Sequence, residues 1–294
     1  MLTHHTATAT RPERVVVVGA GGFVGSTIVR ELGSAGIPTL ALTRKEVDLL
    51  APAGADALAA VLRPGDVVVF ASAVAPAKTV AQLMANLHMA EAACRSFAAA
   101  PPAHLVYISS DAVYADDANP VTERSPLAPS TLHGMMHAAR ELMFRTEYRG
   151  PFVALRPTLI YGGRDPHSGY GPNRFRRQAA SGEPIAVFGE GEEKRDHVAV
   201  EDVARLAVRI VQHRSSGALN AVTGVAASFY DIAGIVAAQF RPSAKVMSVP
   251  RPGPRPHLLH RFFDIAECHK AFPDFHFEPL AEGLARVHRE ALRK

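Results

Sequence analysis

The sequence predicts an α/β fold in which a doubly wound parallel sheet is followed by a smaller C-terminal lobe. Short strand-like runs alternate with segments of helical periodicity as far as residue 156, which is typical of parallel strands joined by right-handed crossovers. A glycine-rich turn links the first run to the first helical segment. Beyond residue 156, glycine and proline interrupt the alternation and shorter elements follow. At 294 residues, 48% of them apolar, the chain can bury one large core with an appended lobe.

Apolar runs and the residues that flank them place the individual elements. Four valines after Arg14 predict a first strand buried on both faces, and Ile28, Val29 and Leu32 recur at helical spacing after the glycine turn. We expect residues 13–160, with 197–224 returning to them, to form the sheet domain, and residues 161–196 and 225–294 to form the smaller lobe, to which the family resemblance given below assigns substrate binding. The predicted strands cover residues 14–18, 39–42, 67–70, 104–108 and 152–156, and the predicted helices cover residues 22–35, 55–62, 79–99 and 131–149.

The turn Gly19-x-x-Gly22-x-x-Gly25 carries the strongest functional indication in the chain. One glycine permits a tight turn, one lets the backbone approach a pyrophosphate, and one lets the helix pack closely on the strand. The amides and the positive dipole end of the following helix then bind the phosphates. Because the turn joins a predicted buried strand to a predicted amphipathic helix, it indicates a Rossmann-type dinucleotide-binding domain rather than an ordinary loop.

Composition limits the other classes of protein. The formal net charge is +4, yet the sequence has no basic stripe interleaved with aromatic residues and no known nucleic-acid module. Cys94 and Cys268 lie too far apart in sequence to suggest a disulfide framework or a metal pair. The first dozen residues lack the apolar core of a signal peptide, and no apolar run is long enough to cross a membrane. We expect a cytoplasmic protein with a small anionic ligand and no nucleic-acid, membrane or metal partner.

The end of the second predicted strand bears on the choice of dinucleotide. An NAD-preferring site usually places an acidic side chain there, against the ribose 2′-hydroxyl, whereas this chain has Thr43-Arg44. The planar and permanently charged guanidinium of Arg44 suits a 2′-phosphate. The sequence thus favours NADP, with NAD as the alternative. An ordinary surface arginine is the other interpretation of Arg44.

The glycine spacing resembles that of the extended short-chain dehydrogenases, in particular the NAD-dependent epimerase/dehydratase family of nucleotide-sugar enzymes. Residues 109–114, Ser-Ser-Asp-Ala-Val-Tyr, are similar to the S-S-x-x-V-Y signature of that family. The resemblance implies that Ser110 is the catalytic serine; the alternative is a serine that caps the loop. It also implies a cofactor site formed by Gly19, Gly22, Phe23, Val24, Gly25, Arg44, Asp48, Leu49, Ala71, Ser72, Ala73, His137 and Pro157.

The sequence departs from this family at the catalytic helix. The family has Tyr-x-x-x-Lys, usually as Y-G-x-x-K with a glutamate four residues on, and this chain has His133-Gly134-Met-Met-His137 followed by Glu141. Gly134 and Glu141 keep the register, so His133 stands where the tyrosine is expected and His137 where the lysine is expected. Positions four apart share a helix face, so both imidazoles are expected to point toward the nicotinamide. Since imidazole titrates near neutral pH, His133 is predicted to exchange the proton, with His137 bonding the nicotinamide ribose.

Two other interpretations of the histidine pair stay open. Paired histidines at this spacing bind metal in some proteins, but no glutamate follows the first histidine and no third ligand lies nearby in sequence. Loss of both family side chains is also compatible with a protein that binds the dinucleotide without the ordinary redox reaction.

The C-terminal half resembles the substrate-binding part of the same family. Residues 155–162 resemble L-R-x-x-N-V-Y-G, with Thr158 where asparagine is usual, and residues 171–173 resemble G-P-N. Residues 187–204 resemble G-x-G-x-x-x-R-D-F-V-x-V-x-D-V-A, which implies that Arg195 reaches the nucleotide or its diphosphate; the alternative is an ordinary ion pair. The resemblance implies substrate contacts from Ser110, Asp111, Asn173, Arg195 and, with less support from the motif, Arg255 and Arg261.

Taken with the resemblance, these motifs predict an NAD(P)-dependent oxidoreductase that acts on a nucleotide-linked sugar. Thr43-Arg44 and Ser110-Asp111 resemble the reductases of the family, which favours reduction of a 4-keto-6-deoxy sugar. The alternatives are an epimerase or dehydratase with tightly held NAD, and a redox-inactive NADP-binding or sensor protein. The resemblance further implies a homodimer in which helices 79–99 and 131–149 pack against a twin subunit.

Overall fold

The computed structural model describes residues 1–167, 169–253 and 259–293. Its centre is a six-stranded parallel sheet that consists of β1 (Val15–Val18), β2 (Thr39–Leu42), β3 (Val67–Phe70), β4 (His104–Ile108), β5 (Phe152–Pro157) and β9 (Gly217–Ala221). The strands β1, β3, β4 and β5 are buried along their whole length, as expected for strands covered on both faces. The order of the strands across the sheet is β2-β1-β3-β4-β5-β9.

Helices cover both faces of this sheet, so the predicted doubly wound α/β fold is confirmed. One face packs against the first and sixth helices through Ile28, Leu32 and Ile210, and the other packs against the second to fourth helices through Leu58 and Phe144. Every predicted strand and helix is present, with ends that differ by about two residues at most. The helices are α1 (Phe23–Ser34), α2 (Gly54–Val61), α3 (Val80–Ala99), α4 (Leu132–Glu147), α5 (Pro172–Ala180), α6 (Val200–Gln212), α7 (Phe229–Ala237), α8 (Ala266–Ala271) and α9 (Leu280–Leu292).

Threonine caps define where two long helices begin. The Thr79 hydroxyl accepts the backbone N–H of Gln82 at the start of α3, and the Gln82 side chain bonds back to the Thr79 N–H. The Thr131 hydroxyl accepts the Gly134 N–H at the start of α4. Each such cap stabilises a helix by about 1 kcal/mol. In the described parts of the chain, no helix combines the length and the apolar composition needed to cross a bilayer.

The chain beyond β5 builds two small sheets and returns once to the large one. β6 (Leu159–Tyr161), β8 (Lys194–Ala199) and β10 (Ala226–Ser228) form a three-stranded sheet, and β7 (Ile185–Phe188) pairs with β11 (Val246–Val249). α5, α7 and α9 pack around a separate apolar cluster that contains Phe175, Phe229 and Leu284. β9 extends the large sheet from within the segment predicted to return to it. The boundaries of the two lobes stay a prediction.

Candidate active site

A cleft of about 940 Å³ opens at the carboxyl ends of the central strands, between them and the C-terminal elements. Ligands of open α/β sheets bind at this edge. Gly19, Arg44, Asp48, Leu49 and Ser72 do not line the cleft, and Arg255 lies outside the described residues. The predicted site residues that line it are Gly22, Phe23, Val24, Gly25, Ala71, Ala73, Ser110, Asp111, His133, His137, Pro157, Asn173, Arg195 and Arg261.

The geometry of the glycine turn fits a dinucleotide. Gly19 has φ +92°, and a Cβ on it would lie 2.6 Å from the Ser72 nitrogen. A Cβ on Gly25 would overlap the Gly19 carbonyl oxygen, so α1 packs directly on the turn. Gly22 caps α1 without a side-chain hydrogen bond, and the first turn of α1 has no acidic residue. The amides at the start of α1 therefore form an uncrowded, positively polarised cradle for a pyrophosphate.

The end of β2 lies beside this cradle, but the side chain of Arg44 does not line the cleft. A Cβ on Gly21 would lie 3.4 Å from the Thr43 methyl carbon, so the two segments are neighbours. The Arg44 side chain is 78% exposed, and its Nε lies 3.1 Å from Oδ2 of Asp48. Leu49 is buried in the core. The predicted roles of Arg44, Asp48 and Leu49 stay predictions.

Replacement of Arg44 by alanine tests the predicted preference for NADP. A charge-assisted bond to phosphate contributes about 1.5–3 kcal/mol, so we expect the Kd of NADPH to rise by roughly tenfold or more and that of NADH to stay unchanged. Isothermal titration of both cofactors measures the two constants. Lys45→Ala, which removes an adjacent exposed cation, is the control. Equal losses for the two cofactors in Arg44→Ala would contradict the assignment.

Ser110 follows β4, where its hydroxyl caps the next turn and lies in the wall of the cleft. Its hydroxyl accepts the Ala112 N–H at 3.2 Å and caps the 3₁₀ turn Asp111–Val113. It also lies 3.4 Å from Oδ1 of Asp111, whose other oxygen accepts the Thr158 hydroxyl at 3.3 Å. The cap fixes the serine at the strand end while leaving it in the wall of the cleft. A hydroxyl held in this way can donate a hydrogen bond to a substrate oxygen.

Close packing of α4 brings the histidines to the same wall. A Cβ on Gly134 would overlap the Ala112 carbonyl oxygen, so the start of α4 lies directly on the turn after Ser110. His133 and His137 both line the cleft, with ring centroids 4.7 Å apart and ring planes at 88°. The Ala77 N–H donates to Nδ1 of His133 at 3.4 Å. In its neutral form His133 therefore carries its proton on Nε2.

The protein environment favours the neutral form of both imidazoles. Burial, and next the charge of His167, lower the pKa of His133 below its ordinary value. Burial, and next His133 and Arg140, lower the pKa of His137 well below its ordinary value. Among the described residues, no group of three or more His, Cys, Asp or Glu side chains is arranged to hold a metal ion.

Two side chains beneath the histidines were not singled out from the sequence. Tyr107 on β4 lies with its hydroxyl 2.6 Å from Nδ1 of His137, and Arg140 packs over the Tyr107 ring. The spacing of His133, His137 and Arg140 places all three on one helix face, which is a signal present in the sequence. The contact with Tyr107 joins residues 30 apart and has no local signature.

The far end of the cleft holds the residues predicted to contact the substrate. Asn173 accepts the Gly162 N–H at 3.2 Å and donates to Oδ2 of Asp165 at 2.8 Å, so its amide fixes the loop before α5. Arg195, 5% exposed, pairs with Glu193 at 2.6 Å. Arg261 lies 3.6 Å from a carboxylate oxygen of Asp116.

These arginines are already matched by carboxylates. Glu193 also pairs with Arg251, and the Arg261 guanidinium donates to the Asp111 carbonyl at 3.5 Å. A diphosphate bound at this end would therefore exchange partners with existing ion pairs. The predicted substrate contacts of Asp111, Asn173, Arg195 and Arg261 stay predictions.

The fold and the cleft define a Rossmann-type dinucleotide-binding protein. Residues 15–224 match the model of the NAD dependent epimerase/dehydratase family. The match spans most of the chain, so the chain belongs to this family, and the resemblance that the motifs predicted is confirmed. A nicotinamide dinucleotide is accordingly the cofactor class.

Several solved structures share the fold over nearly the whole chain. The GDP-L-fucose synthetase of Naegleria fowleri bound to NADP has a TM-score of 0.84 and 16% identity, covering 100% of this chain and 98% of that chain. The GDP-mannoheptose C4 reductase of Campylobacter jejuni with NADP bound has a TM-score of 0.79 and 18% identity, covering 96% of this chain and 99% of that chain. The UDP-glucose 4-epimerase of Thermus thermophilus in complex with NAD has a TM-score of 0.77 and 23% identity, covering 94% of this chain and 98% of that chain. At these identities the similarity shows the fold alone.

Proposed function

We propose that this protein is an NAD(P)-dependent oxidoreductase that acts on a nucleotide-linked sugar, and that it reduces a 4-keto-6-deoxy sugar with NADPH. One observation carries the proposal: a single cleft is lined by the Gly22–Gly25 turn, by Ser110 with the histidine pair, and by Arg195 and Arg261. A dinucleotide, a reacting carbonyl and an anionic group would each meet suitable chemistry there. Two of the structures with this fold are named as a reductase or synthetase bound to NADP, which supports reduction.

The residues of the cleft have distinct roles in such a reduction. When bound, the nicotinamide supplies the hydride. Ser110 hydrogen-bonds the carbonyl oxygen, and His133 in its imidazolium form, whose protonated Nδ1 no longer accepts the Ala77 N–H, gives that oxygen the proton of Nε2 and is left as a neutral imidazole. An imidazole is shorter than a phenol, so the substrate lies deeper against α4 or a water relays the proton.

The lowered pKa of His133 predicts the pH dependence of the reaction. Reduction needs the protonated imidazole, which is the minor form above the ordinary histidine pKa of about 6.5. We expect kcat/KM for reduction to fall by roughly tenfold per pH unit above pH 6.5 and to rise toward lower pH, because burial has moved the His133 pKa downward. The reverse oxidation needs the neutral base and should be flat over the same range. A rate of reduction that rises with pH would contradict His133 as the acid.

The same pKa supports a second candidate function. A neutral His133 can remove a proton from a sugar hydroxyl through Nε2 once its own ring proton stands on Nδ1 in place of the 3.4 Å bond from Ala77, and this proton removal is the first requirement of an epimerase or dehydratase with tightly held NAD. The 4-epimerases with this fold also support it.

Cofactor retention and a panel of substrates separate these functions. Protein purified without added cofactor should lack the absorbance of a bound dinucleotide, bind NADPH reversibly, and consume it with at least one of the GDP-, dTDP- or UDP-linked 4-keto-6-deoxy sugars. Bound NAD with interconversion of sugar epimers would establish the second candidate instead. Binding of NADPH without turnover of any nucleotide sugar would contradict both and leave a redox-inactive binding protein.

We further propose a homodimer formed through α3 and α4. These helices pack on each other, and Met84, Met135 and Leu142 are 42%, 47% and 66% exposed on them. Exposed apolar side chains on adjacent helices are typical of an interface. We expect light scattering to give the mass of two chains, and Leu142→Glu to shift the protein toward one chain. Monomers at high protein concentration in the unaltered protein would contradict the dimer.

A further inference from the structure

A buried group of three side chains lies directly behind the second histidine. The Tyr107 hydroxyl lies 2.6 Å from Nδ1 of His137, and the Arg140 guanidinium carbon lies 5.2 Å from the centroid of the Tyr107 ring. Tyr107, His137 and Arg140 are 1%, 5% and 0% exposed. Water therefore does not compete for this hydrogen bond, and the low local dielectric strengthens it.

The Tyr107 hydroxyl is the donor in the bond to His137. A buried O–H needs an acceptor, and Nδ1 of His137 is the acceptor within its reach in the described part of the chain. Burial raises the pKa of Tyr107, and burial lowers the pKa of His137, so both groups are neutral. With Nδ1 accepting, the ring proton of His137 stands on Nε2. His137 lines the cleft, and its Nε2 has no hydrogen-bond partner among the described residues.

Arg140 places a permanent positive charge behind the same ring. Its Nη2 donates to the Ser72 carbonyl at 2.7 Å and its Nη1 to Oδ1 of Asn86 at 3.4 Å, and it stacks on Phe70 at 4.9 Å. Within the described residues, no carboxylate lies at ion-pair distance from Arg140. An arginine keeps its charge when buried, so it opposes protonation of the neighbouring imidazole.

The remaining ionisable groups around the ring do not offset this charge. His133 lies on the same helix and is itself a base with a lowered pKa. Cys94, from α3, is buried, which raises its thiol pKa to about 11 and leaves it neutral. Glu141 is engaged in a two-point pair with Arg156.

We propose that Tyr107 and Arg140 are positioning residues that hold His137 as a neutral imidazole with its proton on Nε2. The consequence for catalysis rests on the proposed function: His137 serves the bound nicotinamide nucleotide as a fixed hydrogen-bond donor and not as a cation. The positive charge that the family's lysine would bring to this position comes here from Arg140, one helical turn further along α4. His137 thus supplies the hydrogen-bond donor at the cleft, and Arg140 supplies the positive charge behind it.

Nitrogen NMR of the histidine ring tests this inference on the full chain without substrate. Long-range proton–nitrogen spectra of protein labelled with ¹⁵N-histidine distinguish the two ring nitrogens, and His137→Asn identifies the resonances. We expect His137 to show a protonated Nε2 and an unprotonated Nδ1, unchanged from about pH 8 to about pH 5. A proton on Nδ1, or titration of His137 within that range, would overturn the inference.

Variants then assign the effect to its two sources. Tyr107→Phe should give a mixture of His137 tautomers, and Arg140→Met should raise the titration midpoint of His137 by about one pH unit, whereas Arg140→Lys should restore it. Tyr148→Phe is the matched control, since that buried hydroxyl bonds the Pro102 carbonyl away from the cleft. A folded Tyr107→Phe protein with unchanged His137 spectra would refute the role of Tyr107. If His137 kept its proton on Nε2 but the protein turned over no nucleotide sugar, the proposed function would be contradicted and the inference about His137 would still hold.

Discussion

His133→Ala is expected to lower kcat for reduction of the keto sugar by about 10²- to 10⁴-fold, the usual contribution of a general acid. His133 is the group in the cleft wall whose free ring nitrogen can carry the proton, because its Nδ1 accepts the Ala77 N–H. The phosphate cradle at the Gly22–Gly25 turn is formed by backbone amides and not by the His133 side chain, so we expect NADPH affinity to be unchanged. Stopped-flow single turnover gives the rate, and fluorescence titration gives the cofactor Kd.

Two control experiments test whether the loss of rate is specific to the His133 imidazole. His88→Ala removes an exposed histidine from α3 and should leave both constants as they are. Added imidazole should restore part of the activity of His133→Ala by entering the vacated space. Full activity of His133→Ala would eliminate this residue as proton donor. Equal loss of NADPH affinity and rate would point to a role in cofactor binding instead.

Glu141→Ala is expected to lower the free energy of unfolding by about 3–5 kcal/mol, because it leaves a buried arginine without its counter-charge. Both oxygens of Glu141 accept from Arg156, at 2.9 Å from Nε and 2.6 Å from Nη2, and one also accepts the Ser109 hydroxyl at 2.7 Å. Arg156 also donates to Tyr114 at 2.8 Å. The side chains of Glu141 and Arg156 are almost fully buried, with 1% and 2% of their surface exposed. Urea unfolding followed by circular dichroism measures the change.

The matched control for this prediction is a surface ion pair. Arg209 and Asp274 lie 2.6 Å apart, but their side chains are 36% and 66% exposed. Arg209→Ala should therefore cost at most about 1 kcal/mol. If Glu141→Ala were no more destabilising than Arg209→Ala, the buried pair would not be a structural anchor of α4 and β5.

The sheet was predictable because its signals are local. Each buried strand is a short apolar run, as in Val67–Phe70, and the two long helices α3 and α4 begin at recognisable caps, Thr79 and Thr131. The glycine turn is equally local, since the positive φ of Gly19 and the close approach at Gly25 both follow from residues within seven positions. The histidine pair was placed at the site by the resemblance to the catalytic helix of the family, and helix periodicity put both rings on one face.

The parts that escaped prediction depend on contacts between distant residues. Tyr107 and His137 are joined across a strand and a helix, and nothing in either segment alone specifies the bond. The side chain of Asn173 likewise bonds Asp165 and the Gly162 amide through a loop that folds back beside it. The partner of Arg195 is only two positions away, at Glu193. Arg261, in contrast, reaches Asp116, which a distant segment supplies. Such pairings follow from tertiary packing and not from sequence spacing.

Transfer of deuterium from NADPH labelled at C4 of the nicotinamide tests most directly the claim that this histidine-based site performs reduction. In single turnover with a nucleotide-linked 4-keto-6-deoxy sugar, mass spectrometry of the product should show one deuterium on the sugar carbon for the unaltered protein. His133→Ala should give the same product at a rate lower by about 10²-fold or more. Saturating NADPH binding with no deuterium in any sugar of the panel would contradict the account.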